Sequence, residues 1–494
     1  MQQRRAWMTR AAAIALPLLV AATAAAQQVP SSGETVAAPD DPVRRELDEL
    51  RARQRWLEQR LSAAEARNAA EARNAGARRT AAPPLVVEPP PPEQLTPRFR
   101  WGRGGFAFGT PDGKTELRVR AVLNLDSHAY FGDVNPLPDT FIIRRARPFI
   151  EGTLWDTIDF RLMPDFAYGQ AAILDAYVDL RPWRWLRLRG GRFMVPVGLE
   201  WMQKDTTTHF VERSLVTDLV PYRDLGLMLF GDFADGTFSY QLAVGNGAPD
   251  SGNGPDFDNQ SGKDYVGRLF LRPLRRWHAA GAITDLGFGV GASYGSNKGS
   301  AAAPGLPTYK STSLQPIFTF ITASTVPMAT TAAATIADGD RWRVSPQLYW
   351  YIGPLGLLTE YIVSAQRVSR MDTSASLVNR AWNVTLSLVL TMEHAAFDGV
   401  VPRHPVDFRH ASFGALELVL RYSDLRFDDA AFPDFADPTL SVRSARELAG
   451  GLTWHLNDYV KVMMSYHRTD FVGGAVVGDR EPENAFLARL QLAL

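Results

Sequence analysis

Along most of this chain, apolar and polar positions alternate with a period of two. In 115–126, Leu117, Val119, Ala121, Leu123 and Leu125 share one face, while Arg118, Arg120, Asn124 and Asp126 share the other. In 382–391, Trp382, Val384, Leu386, Leu388 and Leu390 alternate with Asn383, Thr385, Ser387 and Thr391. The last run sets Phe486, Ala488, Leu490, Leu492 and Leu494 against Arg489 and Gln491. Successive strand side chains point to opposite faces, so each run predicts a strand with one apolar and one polar side. Similar runs lie near 141–151, 158–166, 173–181, 185–193, 225–232, 237–245, 264–272, 283–294, 341–352, 355–366, 412–423, 443–456 and 459–470, with a weaker one near 312–321. The set predicts sixteen or seventeen strands, many near the length at which a tilted strand crosses a bilayer.

A sandwich or propeller would hide the apolar faces inside. Two patterns favour a membrane barrel instead. Aromatic residues gather near segment ends, at Trp183, Trp185, Trp342, Trp350, Tyr351, Trp454 and Tyr459. Tight connections (155–157, 353–356, 457–459) are interspersed with long polar ones such as 247–264 and 427–438. Girdles at two interfaces, with short turns at one rim and long loops at the other, characterise outer-membrane barrels. A closed barrel also leaves no unpaired sheet edge in hydrocarbon. The expected fold class is therefore all-β: a transmembrane antiparallel β-barrel of sixteen strands over 98–494, preceded by a short N-terminal coiled-coil helix.

The N-terminal region has a different character. Arg4, Arg5 and Arg10 precede the apolar run 11–22, and small residues end at Ala26, the order of a secretory signal peptide over 1–26. Residues 27–82 read as a periplasmic leader. Within it Val43, Leu47, Leu50, Leu57 and Leu61 form a heptad seam, so a short coiled coil is expected over 43–70. One leucine stripe cannot be buried alone, which points to self-association. The proline-rich stretch 83–97 reads as a stiff linker.

Composition narrows the function. The 53 basic and 53 acidic residues balance, against the basic excess of a nucleic-acid binder. Six of the basic residues are lysines, so 53 − 6 = 47 are arginines, each a permanently charged, bidentate grip for phosphate or carboxylate. There is no cysteine, hence no disulfide and no thiolate metal site. His404 and His410 fit no zinc spacing, 255–259 lacks the glycine and final glutamate of a calcium loop, and no nucleophile elbow or phosphate loop occurs. No metal, cofactor or enzymatic activity is expected.

FIIRRARPFIEG (141–152), LDAYVDL (174–180), GRFMVPVGLE (191–200), VERSL (211–215), ALELVLRYSD (415–424), GGLTWHLNDYVKV (450–462) and the closing ARLQLAL follow one another in an order and spacing that resembles the phosphate-selective porin O and P family. The resemblance covers roughly 100–494. It implies a trimeric sixteen-stranded outer-membrane barrel, a third extracellular loop folded into the lumen, and an arginine-lined path for small phosphate-like anions. On that pattern the polar stretch of about 198–224 is the constriction loop, carrying Glu200, Trp201, Lys204, Asp205, Thr206, Thr207, Thr208, His209 and Glu212. Arg144, Arg145 and Arg213 match positions the family uses for anions. By alternation, Arg118, Arg120, Arg161, Arg187, Arg189, Arg268, Arg343, Arg421 and Arg489 lie on the same lumen face and extend the path. The bland alternative for each is wall support, paired to a carboxylate.

The sequence departs from the family where selectivity is concerned. Selective members place a lysine directly after GLE and another in a Ser-Ser-Lys segment; here Trp201 follows Glu200, and the nearest lysine is Lys204. Asp126, Asp159, Asp165, Asp175, Asp179 and Glu417 also share the lumen register and dilute its positive field. The reading is an outer-membrane channel for small anions such as phosphate, self-associating as a homotrimer through barrel and coiled coil, in contact with outer-membrane lipid and binding no nucleic acid. A general, weakly selective porin is the alternative, and a plugged barrel with an enzymatic or adhesive role is a more distant one.

Overall fold

The computed structural model describes residues 55–67, 97–102, 104–132, 137–257, 262–275, 285–322 and 334–494. The signal-peptide segment, most of the leader, the linker apart from Pro97, and the heptad seam outside 55–67 lie outside these residues. Residues 55–67 form a helix on which Trp56, Leu57 and Leu61 are exposed.

The barrel unit opens with a hairpin, β1 (Arg98–Gly102) and β2 (Gly105–Gly109). The wall follows as β3 (Glu116–Phe131), β4 (Thr140–Leu154), β5 (Ile158–Asp165), β6 (Ala172–Trp183), β7 (Leu186–Met194), β8 (Arg223–Phe233), β9 (Phe238–Gly245), β10 (Asp264–Leu271) and β11 (Asp285–Lys298). A small ribbon, β12 (Tyr309–Lys310) and β13 (Pro316–Phe318), interrupts it. The wall resumes with β14 (Ile336–Ile352), β15 (Leu355–Arg370), β16 (Thr373–Val389), β17 (Ala415–Arg426), β18 (Val442–His455), β19 (Val460–Gly473) and β20 (Glu483–Ala493). Each wall strand pairs antiparallel with the next, and β20 pairs back onto Val122–Phe131 of β3, closing sixteen strands. The first residues of β3 pair instead with β2, so the hairpin extends the seam below the end of β20.

All sixteen stronger alternating runs fall on wall strands. The weaker run near 312–321 does not. It contributes β13 to the ribbon inside the loop joining β11 to β14, where Ile317 and Phe318 are buried. Its alternation is apolar for another reason: these side chains enter a core with Leu219, Phe427 and Phe435 rather than facing lipid.

The outward face is a band of exposed leucines, including Leu227, Leu242, Leu269, Leu386, Leu448 and Leu490. Aromatics bracket it. Trp155, Trp183, Trp185 and Phe233 stand at one rim, and Tyr265, Tyr294, Tyr422 and Tyr466 lie toward the other. This is the distribution a bilayer selects, with apolar side chains in hydrocarbon and amphipathic rings at its boundaries. Both chain ends of the wall and the two-residue connections 184–185 and 353–354 lie at the first rim. Three connections break the length rule: 371–372 is tight at the long-loop rim, and 272–284 and 390–414 are long at the short-turn rim.

The lumen is not uniformly polar. Segments 195–222, 299–322 and 427–441 meet inward-facing Ile362, Val368, Leu377, Ala381 and Leu425 of β15–β17 in a buried apolar core. These strands carry stretches that are apolar on both faces, as expected where a sheet is covered on each side.

Candidate functional site

The site begins with a local irregularity. Two consecutive residues of a regular strand face opposite sides, yet Arg144 and Arg145 both reach inward. On β4, Ile143 pairs with Leu125 and Arg145 with Asn124, leaving Arg144 as the extra residue of a β-bulge. A bulge of this kind re-aims a side chain at the cost of local ladder pairing. Arg147, two residues on, shares the lumen face with Arg145.

These arginines meet the 195–222 segment that joins β7 to β8, two residues shorter at its end than the expected loop because Arg223 and Asp224 belong to the wall. The segment presses closely on β11 and β15. A Cβ at Gly291 would strike the Val197 carbonyl, and one at Gly198 would strike Val220. The backbone amides of Leu199 and Glu200 donate to Glu360 Oε2 at 2.9 and 3.0 Å. The Glu200 carboxylate in turn accepts from Asn383 Nδ2 at 3.1 Å and from the Ser214 amide at 3.1 Å. Trp201 stacks on Tyr222 with centroids 3.7 Å apart and lies under the Arg213 guanidinium.

Charge pairing then ties loop to wall. Asp205 receives Arg213 at 2.9 Å, Arg145 at 3.3 Å and Arg147. Burial acts to raise its pKa, but Arg145, Arg147 and Arg213 hold it well below the usual carboxylate range. Glu212 accepts both arms of Arg144, at 2.7 and 3.0 Å, and Arg489 at 2.9 Å. Arg489 also grips Asp126 with two bonds of 2.7 and 2.6 Å across the closing seam. Arg213 further donates to the carbonyls of Glu200 and Gln203, and Arg421 pairs with Glu447 at 2.9 Å. On the other side of the segment His209 lies between Glu417 (2.9 Å) and Tyr351 (3.1 Å), Gln491 donates to the Thr206 carbonyl, Lys461 to that of Thr208, and Thr207 sits against Gly399.

The remaining sequence-derived candidates spread down the wall. Arg118 pairs with Glu116, Arg120 and Arg161 with Glu151, Arg187 with Asp159, Arg189 with Asp179, Arg343 with Asp250, and Lys204 with Asp398. Arg268 differs, donating to the amide oxygens of Gln347 and Gln241. Arg144, Arg145, Arg213, Trp201, Asp205 and Glu212 thus converge, whereas Arg118, Arg120, Arg161 and Arg268 lie apart from them.

The converging group lines a cavity of about 190 Å³. Its wall also holds Arg147, Arg223, Lys310, Ser311, Thr312 and Asp218, none of which the sequence singled out. Arg147 was available from the same-face rule applied to Arg145. Lys310 ends β12, Ser311 and Thr312 follow it in the turn before β13, and nothing local announces that this ribbon turns inward. Asp218 accepts from Ser251 Oγ at 3.0 Å and from the Lys310 amide at 3.1 Å. Burial pushes its carboxyl up to about 7.

The family model for phosphate-selective porin O and P matches residues 117–494. The chain belongs to this family. It is an outer-membrane porin, a β-barrel channel. It is 23% identical over 412 residues to Porin O of Pseudomonas aeruginosa, covering 74% of this chain and 85% of that protein. Among solved structures it is similar to the outer membrane channel DcaP of Acinetobacter baumannii, at 10% identity and a TM-score of 0.47, covering 78% of this porin and 99% of that chain. It is also similar to the trimer form of OmpT of Vibrio cholerae, at 10% identity and a TM-score of 0.47, with coverage of 77% and 99%.

Proposed function

We propose that this porin passes small anions, phosphate among them, through a constriction formed by the 195–222 segment. The carrying observation is the charge around the cavity. Arg144, Arg145, Arg147, Arg213, Arg223 and Lys310 face three acids, Asp205, Glu212 and Asp218. Asp165 and Asp175, just behind the lining, also hold Arg147 at 2.7 Å and Arg223 at 2.8 Å, so six cations against five anions leave 6 − 5 = 1 positive charge, and the neutral fraction of Asp218 near pH 7 enlarges it. A surplus of fixed positive charge in a narrow aqueous path favours anions, while carboxylates already holding the guanidiniums keep each contact weak enough for release. The lysine that selective family members carry after GLE is missing here, and Lys310 with the hydroxyls of Ser311 and Thr312 supplies comparable chemistry from another loop. The preference is accordingly mild and not confined to phosphate.

The same reading takes 1–26 as a cleaved signal peptide, 27–82 as a periplasmic leader, 83–97 as a linker, and the 43–70 seam as a coiled coil joining three copies. The test is conductance through planar bilayers. Phosphate is expected to reduce chloride current, and Arg144→Ala, Arg145→Ala and Arg213→Ala together to remove that effect while the barrel stays folded. Chloride current indifferent to phosphate in the parent protein would refute phosphate as a solute.

A further inference from the structure

A second cavity, of about 370 Å³, lies inside the wall near the short-turn rim, beneath Leu199 and Met202 of the inward segment. Its chemistry differs from that of the constriction. Arg268, Arg272 and Arg275 line it, and among the described residues none forms an ion pair with a carboxylate. Asp285 lies within electrostatic reach of Arg272 and Arg275 without pairing with either. Asp232 and Asp235, also in the lining, are held by Arg184 at 3.4 Å each. Arg187 is engaged by Asp159 at 2.8 Å. Nε of Arg272 and Nε of Arg187 are shielded from solvent and have no hydrogen-bond partner.

The floor is aromatic. Phe270 and Tyr349 have centroids 5.5 Å apart, and Phe397, carried in by the long 390–414 connection, stacks on Tyr349 at 4.9 Å. The Arg268 guanidinium lies 4.4 Å from the Phe270 centroid. A spherical inorganic anion would use the arginines and leave this floor idle. A carboxylate fits the forked donors, and a planar ring behind it covers the aromatic surface.

We propose that this cavity is a binding site for aromatic monocarboxylates, occupied by solute that has passed the constriction. The inference rests on the channel reading for an open path, but not on the constriction being the selective element. An organic anion held there obstructs the lumen, so occupancy is readable as block of current.

The experiment adds benzoate or acetate to the short-turn side of the intact porin in planar bilayers and records chloride current. Benzoate is expected to block at about tenfold lower concentration than acetate, the factor one ring-on-ring contact supplies. Arg268→Gln combined with Arg272→Gln should abolish block by both. Phe397→Leu should bring benzoate block to the level of acetate, each block being read as a fraction of that variant's own chloride current. Retention of the folded band on unheated gels identifies variants that assembled. Equal block by the two acids in the parent porin, or benzoate block that survives the double arginine variant, overturns the proposal. Loss of anion preference in the parent with benzoate block intact would instead refute the constriction reading alone.

Discussion

Glu212 bridges loop and wall, so Glu212→Gln perturbs both charge and anchorage in one step. The carboxylate takes two bonds from Arg144 and one from Arg489, and it is buried. The amide keeps one acceptor and brings an NH₂ group toward two guanidiniums. Breaking a buried pair by removing one partner costs about 3–5 kcal/mol, here borne by the seat of the loop rather than by the sixteen-stranded ladder. The removed charge also lines the cavity. At about 4 Å, one unit charge changes an ion's energy by about 1 kcal/mol even in a water-like dielectric. That is roughly a fivefold change in population, with opposite signs for chloride and potassium. Glu212→Gln is therefore expected to raise the anion-to-cation permeability ratio by about 5 × 5, roughly 25-fold, and to add conductance fluctuations as the loop loosens. Single-channel recording in a KCl gradient reads both. An unchanged ratio with steady conductance would show that Glu212 neither faces the permeation path nor holds the loop.

Asp218 supplies a pH dependence. Its carboxyl is raised to about 7, so it is neutral below that pH and charged above it; the lumen gains positive charge on acidification, and anion preference should rise between about pH 8 and about pH 6. Asp218→Asn should flatten that dependence at the acidic value. At the seam, Arg489→Ala strands a fully buried Asp126, and the folded band on detergent gels should be lost at lower temperature, for a cost of about 3–5 kcal/mol. Because the chain has no cysteine, Leu227→Cys and Gln241→Cys give clean single thiols: a charged thiol reagent should modify the lumen-facing second and spare the lipid-facing first.

The wall was legible because lipid on one side and water on the other write a period of two into every strand. All sixteen wall strands carry it, and runs such as 264–272 need no tertiary information to be read. What the lumen contains was legible only in part. Phe318 and Phe320 alternate like wall residues but pack inward, since local periodicity records that a face is buried and not what buries it. The hairpin β1–β2 was missed because Phe99, Trp101, Phe106 and Phe108 are exposed and its glycines interrupt the run. Arg144 and Arg145 were found through the family resemblance; alternation alone assigns one of them to lipid, and only the bulge brings both inward. The carboxylate partners of the arginines come from positions tens to hundreds of residues away, as with Arg489 and Asp126, so pairing could not be read along the chain. Arg272 and Arg275 sit just past the end of β10, where the period that places side chains stops.

The central claim is that the water-filled lumen carries a surplus of positive charge at its narrowest point. Reversal potential of the purified porin in a bilayer separating two KCl concentrations measures it most directly. A potential displaced toward the chloride equilibrium value is the predicted result, and displacement toward the potassium value would contradict it.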